Sequence, residues 1–214
     1  EALGLFLGTT SQELVFVDNA TTGVSTVLSG LNLTSGDRIL ITDHGYNACS
    51  NSARFFAGRT GAEVDLIKLP FPGSDSKEFI ERILGACTSH TRLLLIDHIT
   101  SPTALIMPLE EIVPAVQQRG IQVLVDGAHA PGMLPLKLSE LGADYYTGNC
   151  HKWMCAPKGT AFLYVRPEHQ SKLHPLTISH GMNRPVGDST RFRLEFDWIG
   201  TRDLTGFLTL PALI

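Results

Sequence analysis

The chain has 214 residues, 43% hydrophobic and 18% charged, enough apolar side chain for a substantial core. Its 17 Lys and Arg against 21 Asp and Glu leave a net charge of −4, with no basic cluster suited to nucleic acid and no charge run that reads as a tail. Apolar runs stop short of the ~20 residues of a membrane span, no signal peptide is visible, and Cys49, Cys87, Cys150 and Cys155 form no CxxC pair or metal-ligand spacing, so nucleic acid, membrane and metal are set aside and a reducing, cytoplasmic setting is expected.

Residues Glu1 to Leu7 read as the tail of a helix already under way. The pattern then predicts a strand at Leu14–Val17, a helix at Thr22–Leu31, a strand at Arg38–Thr42, a helix at Asn47–Ala57 and a strand at Glu63–Lys68. A loop at Phe71–Asp75, with Ser74 or Asp75 as cap, leads into a helix at Ser76–Ala86. A strand at Arg92–Asp97, a helix at Leu109–Arg119, a strand at Ile121–Asp126, a short helix at Lys137–Leu141 and strands at Tyr145–Thr147 and Thr160–Val165 complete the series. Gly36, Gly58, Gly61 and Gly120 punctuate the joins. The last residues, Leu208 to Ile214, stop inside an apolar stretch, and both ends read as cuts in a longer protein.

Strands alternating with amphipathic helices imply an α/β fold: a mostly parallel seven-stranded sheet flanked by helices as an α/β/α sandwich. Leu93-Leu94-Leu95-Ile96 and Val123-Leu124-Val125 are continuous apolar runs, as burial on both sheet faces requires. Such sheets bind ligands beyond the carboxyl ends of their strands. The polar groups of the sequence gather there: Asn19-Ala20-Thr21-Thr22 after the first strand, Asp43-His44-Gly45-Tyr46 after the second, Asp126 and His129 after the fifth, and Lys152 after the sixth.

A buried acid closing one strand and a lysine following the next suit a pyridoxal 5'-phosphate site. The acid keeps the pyridine nitrogen protonated and the lysine holds the aldehyde as a Schiff base. A cationic ring would also relieve the cost of burying the Asp126 charge; a cap for the next segment is the lesser alternative for Asp126. Thr21 and Thr22 at a strand-to-helix junction make a phosphate cradle or an ordinary helix cap. Asn149 and His151 flank Lys152 and add candidate phosphate donors. Tyr46 and His44 compete as the aromatic that stacks on the ring, and Gly200-Thr201-Arg202-Asp203 is either an anion-binding turn or a surface ion pair.

These segments, together with Thr100-Ser101-Pro102-Thr103-Ala104-Leu105 and Val125-Asp126-Gly127-Ala128-His129-Ala130-Pro131-Gly132, resemble the class V aminotransferase family of fold type I pyridoxal-phosphate enzymes, most nearly its isopenicillin N epimerase-like branch. The resemblance runs through nearly the whole chain. It implies most of a cofactor-binding large domain over residues 1–214, with an N-terminal segment and a small C-terminal domain missing. It makes Lys152 the Schiff-base lysine and Asp126 the pyridinium partner. His129 contacts the ring hydroxyl, and Tyr46 takes the stacking place held by histidine in cysteine desulfurases and cystine lyases. Thr21, Thr22, Asn149 and His151 hold the phosphate, and Thr201 reaches that of a second subunit in a homodimer. Asn149, Cys150 and Pro102 depart from the desulfurase pattern, and Pro102 favours the epimerase-like branch.

The expected activity is therefore chemistry at the Cα of a small amino-acid substrate, with epimerisation first and C–S lysis (cysteine desulfhydrase) or transamination as alternatives. A catalytically silent relative used as an assembly module predicts loss of the lysine or the aspartate, and both are present. A nucleotide-binding Rossmann enzyme lacks its G-x-G-x-x-G after the first strand.

Overall fold

A computed structural model describes residues 1–72 and 75–214. Helix α1 (Ala2–Phe6) precedes strand β1 (Leu14–Val17), and the chain then alternates through α2 (Ala20–Gly30), β2 (Arg38–Thr42), α3 (Asn47–Thr60), β3 (Glu63–Ile67), α4 (Ser76–Ala86), β4 (Thr91–Asp97), α5 (Leu109–Gln117) and β5 (Gln122–Asp126). Helix α6 (Leu138–Leu141), strands β6 (Tyr145–Asn149) and β7 (Ala161–Val165), and the short helices α7 (Pro167–Gln170), α8 (Arg191–Asp197), α9 (Thr205–Leu208) and α10 (Leu210–Leu213) follow.

The strands make one sheet in the order β1-β7-β6-β5-β4-β2-β3. Pairings from β3 across to β6 are parallel, whereas β7 runs antiparallel to both β6 and β1. Strand β1 thus points the same way as β6, and six strands deliver their carboxyl ends to one edge. Alternate residues feed two cores. Leu94, Ile96, Val123 and Val125 pack against Phe79, Ile83, Ile112 and Val116 of α4 and α5. Leu93, Leu95 and Leu124 pack against Val24, Val27 and Leu28 of α2, Ala53 and Ala57 of α3, and Phe192 and Phe196 of α8. Among the described residues no helix is long and apolar enough to cross a membrane.

The expected strands are present within two residues at each end. Strand β6 runs on to Asn149 because Gly148 and Asn149 pair with Phe162 and Ala161, so the ladder overrides two turn-forming residues. At Gly148 a Cβ would come within 2.7 Å of the Phe162 ring, which is why the side chain is absent there. Asp75 caps α4, its side chain accepting the Lys77 N–H; the alternative cap, Ser74, lies outside the described residues. Helices α7 to α10, of seven residues or fewer, were not expected, being too short to show a period.

The turn after β5 is held by close packing. Tyr146 is fully buried, stacked on Phe162 with centroids 6.2 Å apart, and its hydroxyl bonds His98 Nδ1 at 2.9 Å. A Cβ on Gly127 would sit 2.2 Å from this immobile ring. Gly127→Ala is therefore expected to cost about 2–3 kcal/mol through overpacking, read as a lower urea midpoint with an unchanged slope.

Candidate active site

The first turn of α2 is built by two asparagines. Asn19 caps it, its Oδ1 accepting the Thr22 N–H at 2.8 Å and the Thr22 hydroxyl at 3.1 Å. The helix consequently starts at Ala20, two residues before its expected start. Asn149, at the end of β6, accepts the Ala20 N–H through Oδ1 at 2.8 Å. Gly23 N–H donates to the Asn19 carbonyl, which leaves the Thr21 N–H as the first-turn donor without an acceptor among the described residues. This end of α2 presents positive potential and one free donor.

Opposite lies Asp126, 2% exposed at the end of β5. Its Oδ1 accepts the Ala128 N–H at 3.0 Å, and its Oδ2 accepts the Cys49 thiol at 3.0 Å. Burial drives the Cys49 thiol far above its ordinary range, with the Asp126 charge adding to the effect, so Cys49 is a neutral donor. Asp97, on the neighbouring strand, is in register with Asp126 and is also buried. Burial first, then the Asp126 charge, pushes its carboxyl up to about 8 against N–H bonds from Tyr46 and its own backbone. The sequence reading missed both Cys49 and Asp97; register alone brings Asp97 to Asp126, and no local motif marks either.

Lys152 lies in the turn after β6, its Nζ 3.1 Å from His129 Nε2. Burial lowers its amine below the ordinary lysine range, opposed chiefly by the charge of Asp126. His129 is likewise lowered by burial and then by Lys152. His151 donates from Nδ1 to the Thr160 carbonyl at 2.9 Å, which fixes its ring. A cleft of about 450 Å³ opens between these elements, bordered by Asn19, Ala20, Thr21, Thr22, Tyr46, Asp126, Ala128, Asn149, His151 and Lys152. Its size suits a small-molecule site.

Seven of the nine expected site residues thus border one cleft. His129 stands beside Lys152, and Thr201, expected at the phosphate of a second subunit and not in this cleft, is exposed, in a segment tied down by the Arg202–Asp18 ion pair at 2.8 Å. Of the two aromatic candidates, Tyr46 edges the cleft. His44 is buried and turned away, with Nδ1 2.8 Å from the Thr103 hydroxyl and Nε2 3.3 Å from the Leu69 carbonyl. The donor set fits pyridoxal phosphate: a helix N-terminus with a free N–H, a buried carboxylate and a half-buried amine border one cleft.

A parallel-strand edge carrying an acid, an amine and a helix N-terminus around one cleft is the architecture of fold type I pyridoxal-phosphate proteins. Residues 1–194 match the Aminotransferase class-V family, and the chain belongs to it. It is 35% identical to isopenicillin N epimerase of Streptomyces clavuligerus, over 100% of this chain and 56% of that protein. It is 32% identical to a probable chloroplastic L-cysteine desulfhydrase of Arabidopsis thaliana, over 94% of this chain and 45% of that one. The cystine C–S lyase C-DES, solved with its product cysteine persulfide, superposes with a TM-score of 0.87 at 27% identity, covering 99% of this chain and 57% of its own; a second C-DES structure carries glycine linked to the pyridoxal-phosphate cofactor. The chain spans about half the length of the curated relatives it matches. Family and fold indicate pyridoxal 5'-phosphate as the cofactor.

Asp97 yields a test of the site's electrostatics without cofactor. An acid raised in the folded state costs nothing below its ordinary value near 4, and the cost of keeping it protonated grows as pH climbs to about 8. Asp97→Asn removes that ionisation. The variant should gain on wild type between pH 5 and pH 8 by about 1.4 kcal/mol per pH step at most, measured by urea unfolding of the cofactor-free protein.

Proposed function

We propose that this chain carries the cofactor-binding part of an enzyme that works at the Cα of an amino acid through Lys152. What supports this most is the meeting, in one cleft, of the Lys152 amine, the buried Asp126 carboxylate and the N-terminus of α2. Pyridoxal phosphate, when bound, supplies an aldehyde that captures amines and a ring that accepts electrons from Cα. Asp126 offers its carboxylate to the ring nitrogen, with Cys49 and the Ala128 N–H holding it in place. The Thr21 N–H, the amide nitrogen of Asn149 (its oxygen being held by Ala20) and His151 bind phosphate. Thr22 contributes less than expected, since its hydroxyl is committed to Asn19. Tyr46 covers a ring face, and His129, beside Lys152, serves the ring hydroxyl only where its Nε2 leaves the Lys152 amine. Lys152, its amine lowered from the ordinary lysine range by burial, takes and returns the α-proton.

Return of that proton to the opposite face of Cα is epimerisation, our first reading. It is favoured by the 35% identity to an isopenicillin N epimerase and by a tyrosine rather than a histidine at the cleft. Departure of a β-sulfur instead gives C–S lysis, the second reading, favoured by the likeness to a cysteine desulfhydrase and to C-DES. Transamination follows the same first step. Assembly as a homodimer would let Thr201 of a second copy reach the phosphate, as its exposure allows. A reducing, cytoplasmic compartment suits the four unpaired thiols.

Full-length protein should be yellow, and borohydride should fix the cofactor to the Lys152 peptide. Label on another lysine of cofactor-replete protein would defeat the assignment. A screen of amino acids for loss of optical rotation, against cysteine and cystine for sulfide release, separates the first reading from the second.

The aromatic assignment is tested by cofactor affinity. Stacking beyond simple burial contributes about 0.5–1.5 kcal/mol, so Tyr46→Ala should raise the cofactor's dissociation constant roughly three- to tenfold. His44→Ala should change it less. The reverse ranking would return His44 to the site.

A further inference from the structure

We propose that Trp153 is a positioning residue: its indole N–H fixes the tautomer of His129, and that tautomer holds Lys152 as the free amine. The Trp153 Nε1–H donates to His129 Nδ1 at 3.2 Å, and His129 Nε2 faces Lys152 Nζ at 3.1 Å. Indole nitrogen is a donor only, so His129 Nδ1 must present its lone pair. A neutral imidazole then carries its proton on Nε2, aimed at Lys152. An ammonium there would set donor against donor, whereas a neutral amine accepts the bond. Imidazolium is barred at the same stroke, since a doubly protonated ring has nothing to offer the indole.

The backbone enforces this contact. Gly132, at φ +86°, lets the segment after β5 close on the turn after β6; a Cβ there would lie 2.6 Å from the Trp153 carbonyl. His129 and Trp153 are thereby brought together from the turns that follow two different strands. The titratable groups acting on the pair are Asp126 on β5, Asp97 on β4 and Cys49 on α3; the Asp126 charge favours an ammonium, Asp97 and Cys49 are driven toward their neutral forms, and burial opposes the ammonium. Trp153 adds a directional constraint on the side of the free amine. A free amine is the form that attacks an aldehyde and accepts a proton from carbon.

This role for Trp153 rests on Lys152 being the Schiff-base lysine, whereas the ring tautomer and the amine's reactivity can be read with no cofactor present. Full-length protein stripped of cofactor should show His129 as the Nε2–H tautomer by ¹⁵N chemical shifts. In Trp153→Phe, which keeps an aromatic ring and loses the N–H, the Nδ1–H form should appear. Peptide-resolved acetylation of Lys152 across a pH series should then titrate higher in the variant, by about one unit, equivalent to roughly tenfold slower labelling at neutral pH. A wild-type Nδ1–H ring, or a folded variant with an unchanged labelling profile, would overturn the proposal. Absence of borohydride label on Lys152 alongside the expected tautomer would instead fault the functional reading.

Discussion

The parallel ladder through β4, β5 and β6 is the constraint on which the rest of the molecule depends. Its register places Asp97 beside Asp126 and Asp126 beside Thr147, and it ends β6 at Asn149. All three strands are covered on both faces, so their polar termini have only the carboxyl edge in which to meet. Slipping β5 by one residue would send the Asp126 side chain to the opposite core and bring Gly127 into its place. The stack of Tyr146 on Phe162 and the missing side chain at Gly127 guard against that slip. Packing deep in the sheet therefore sets the position of a carboxylate at its edge.

The same economy governs the helix end. Asn149 uses its oxygen to fasten α2 to β6, and Asn19 uses its own to cap the helix, so both residues act as architecture before they meet any ligand. The uncommitted groups are what a phosphate would find: the Thr21 N–H and the amide nitrogen of Asn149. A side chain named from its motif as a phosphate ligand can thus hold the scaffold with one atom and face the ligand with another. Thr22 spends its hydroxyl wholly on the cap.

Much of the fold was legible because parallel strands buried on both faces leave continuous apolar runs, and Leu93–Ile96 and Val123–Val125 are such runs. The site was legible as far as it follows the strand ends: Asp126, Lys152, Asn149 and Tyr46 each come directly after, or close, a strand that could be read. Cys49 and Asp97 were not. Cys49 lies one turn into α3 and meets Asp126 only through tertiary packing, and Asp97 looks like any acid that ends a strand until its register with Asp126 is known. The short helices after Arg166 escaped for a different reason. A four-residue helix contributes one turn and no repeat, so tertiary contacts alone decide it. Thr201, assigned to a second subunit's phosphate, is exposed beside the Arg202–Asp18 pair, which links residues far apart in the chain.

These placements share a consequence for charge. Burial keeps the Cys49 thiol neutral, holds a proton on Asp97 and lowers the Lys152 amine, with His129 lowered beside it. Four ionisable groups are thus shifted toward their neutral forms around one carboxylate. A crowd of ionised groups here would screen Asp126 from a ring nitrogen and tie Lys152 to the nearest anion as a salt bridge. Neutral neighbours act as hydrogen-bond donors and acceptors that aim those two residues without competing for their charge. The proposed division of labour follows from that: Asp126 is left to meet a cationic ring, and Lys152 is left with a lone pair. Cys49 and Trp153, which need not touch a ligand, are the two donors whose directions keep it so.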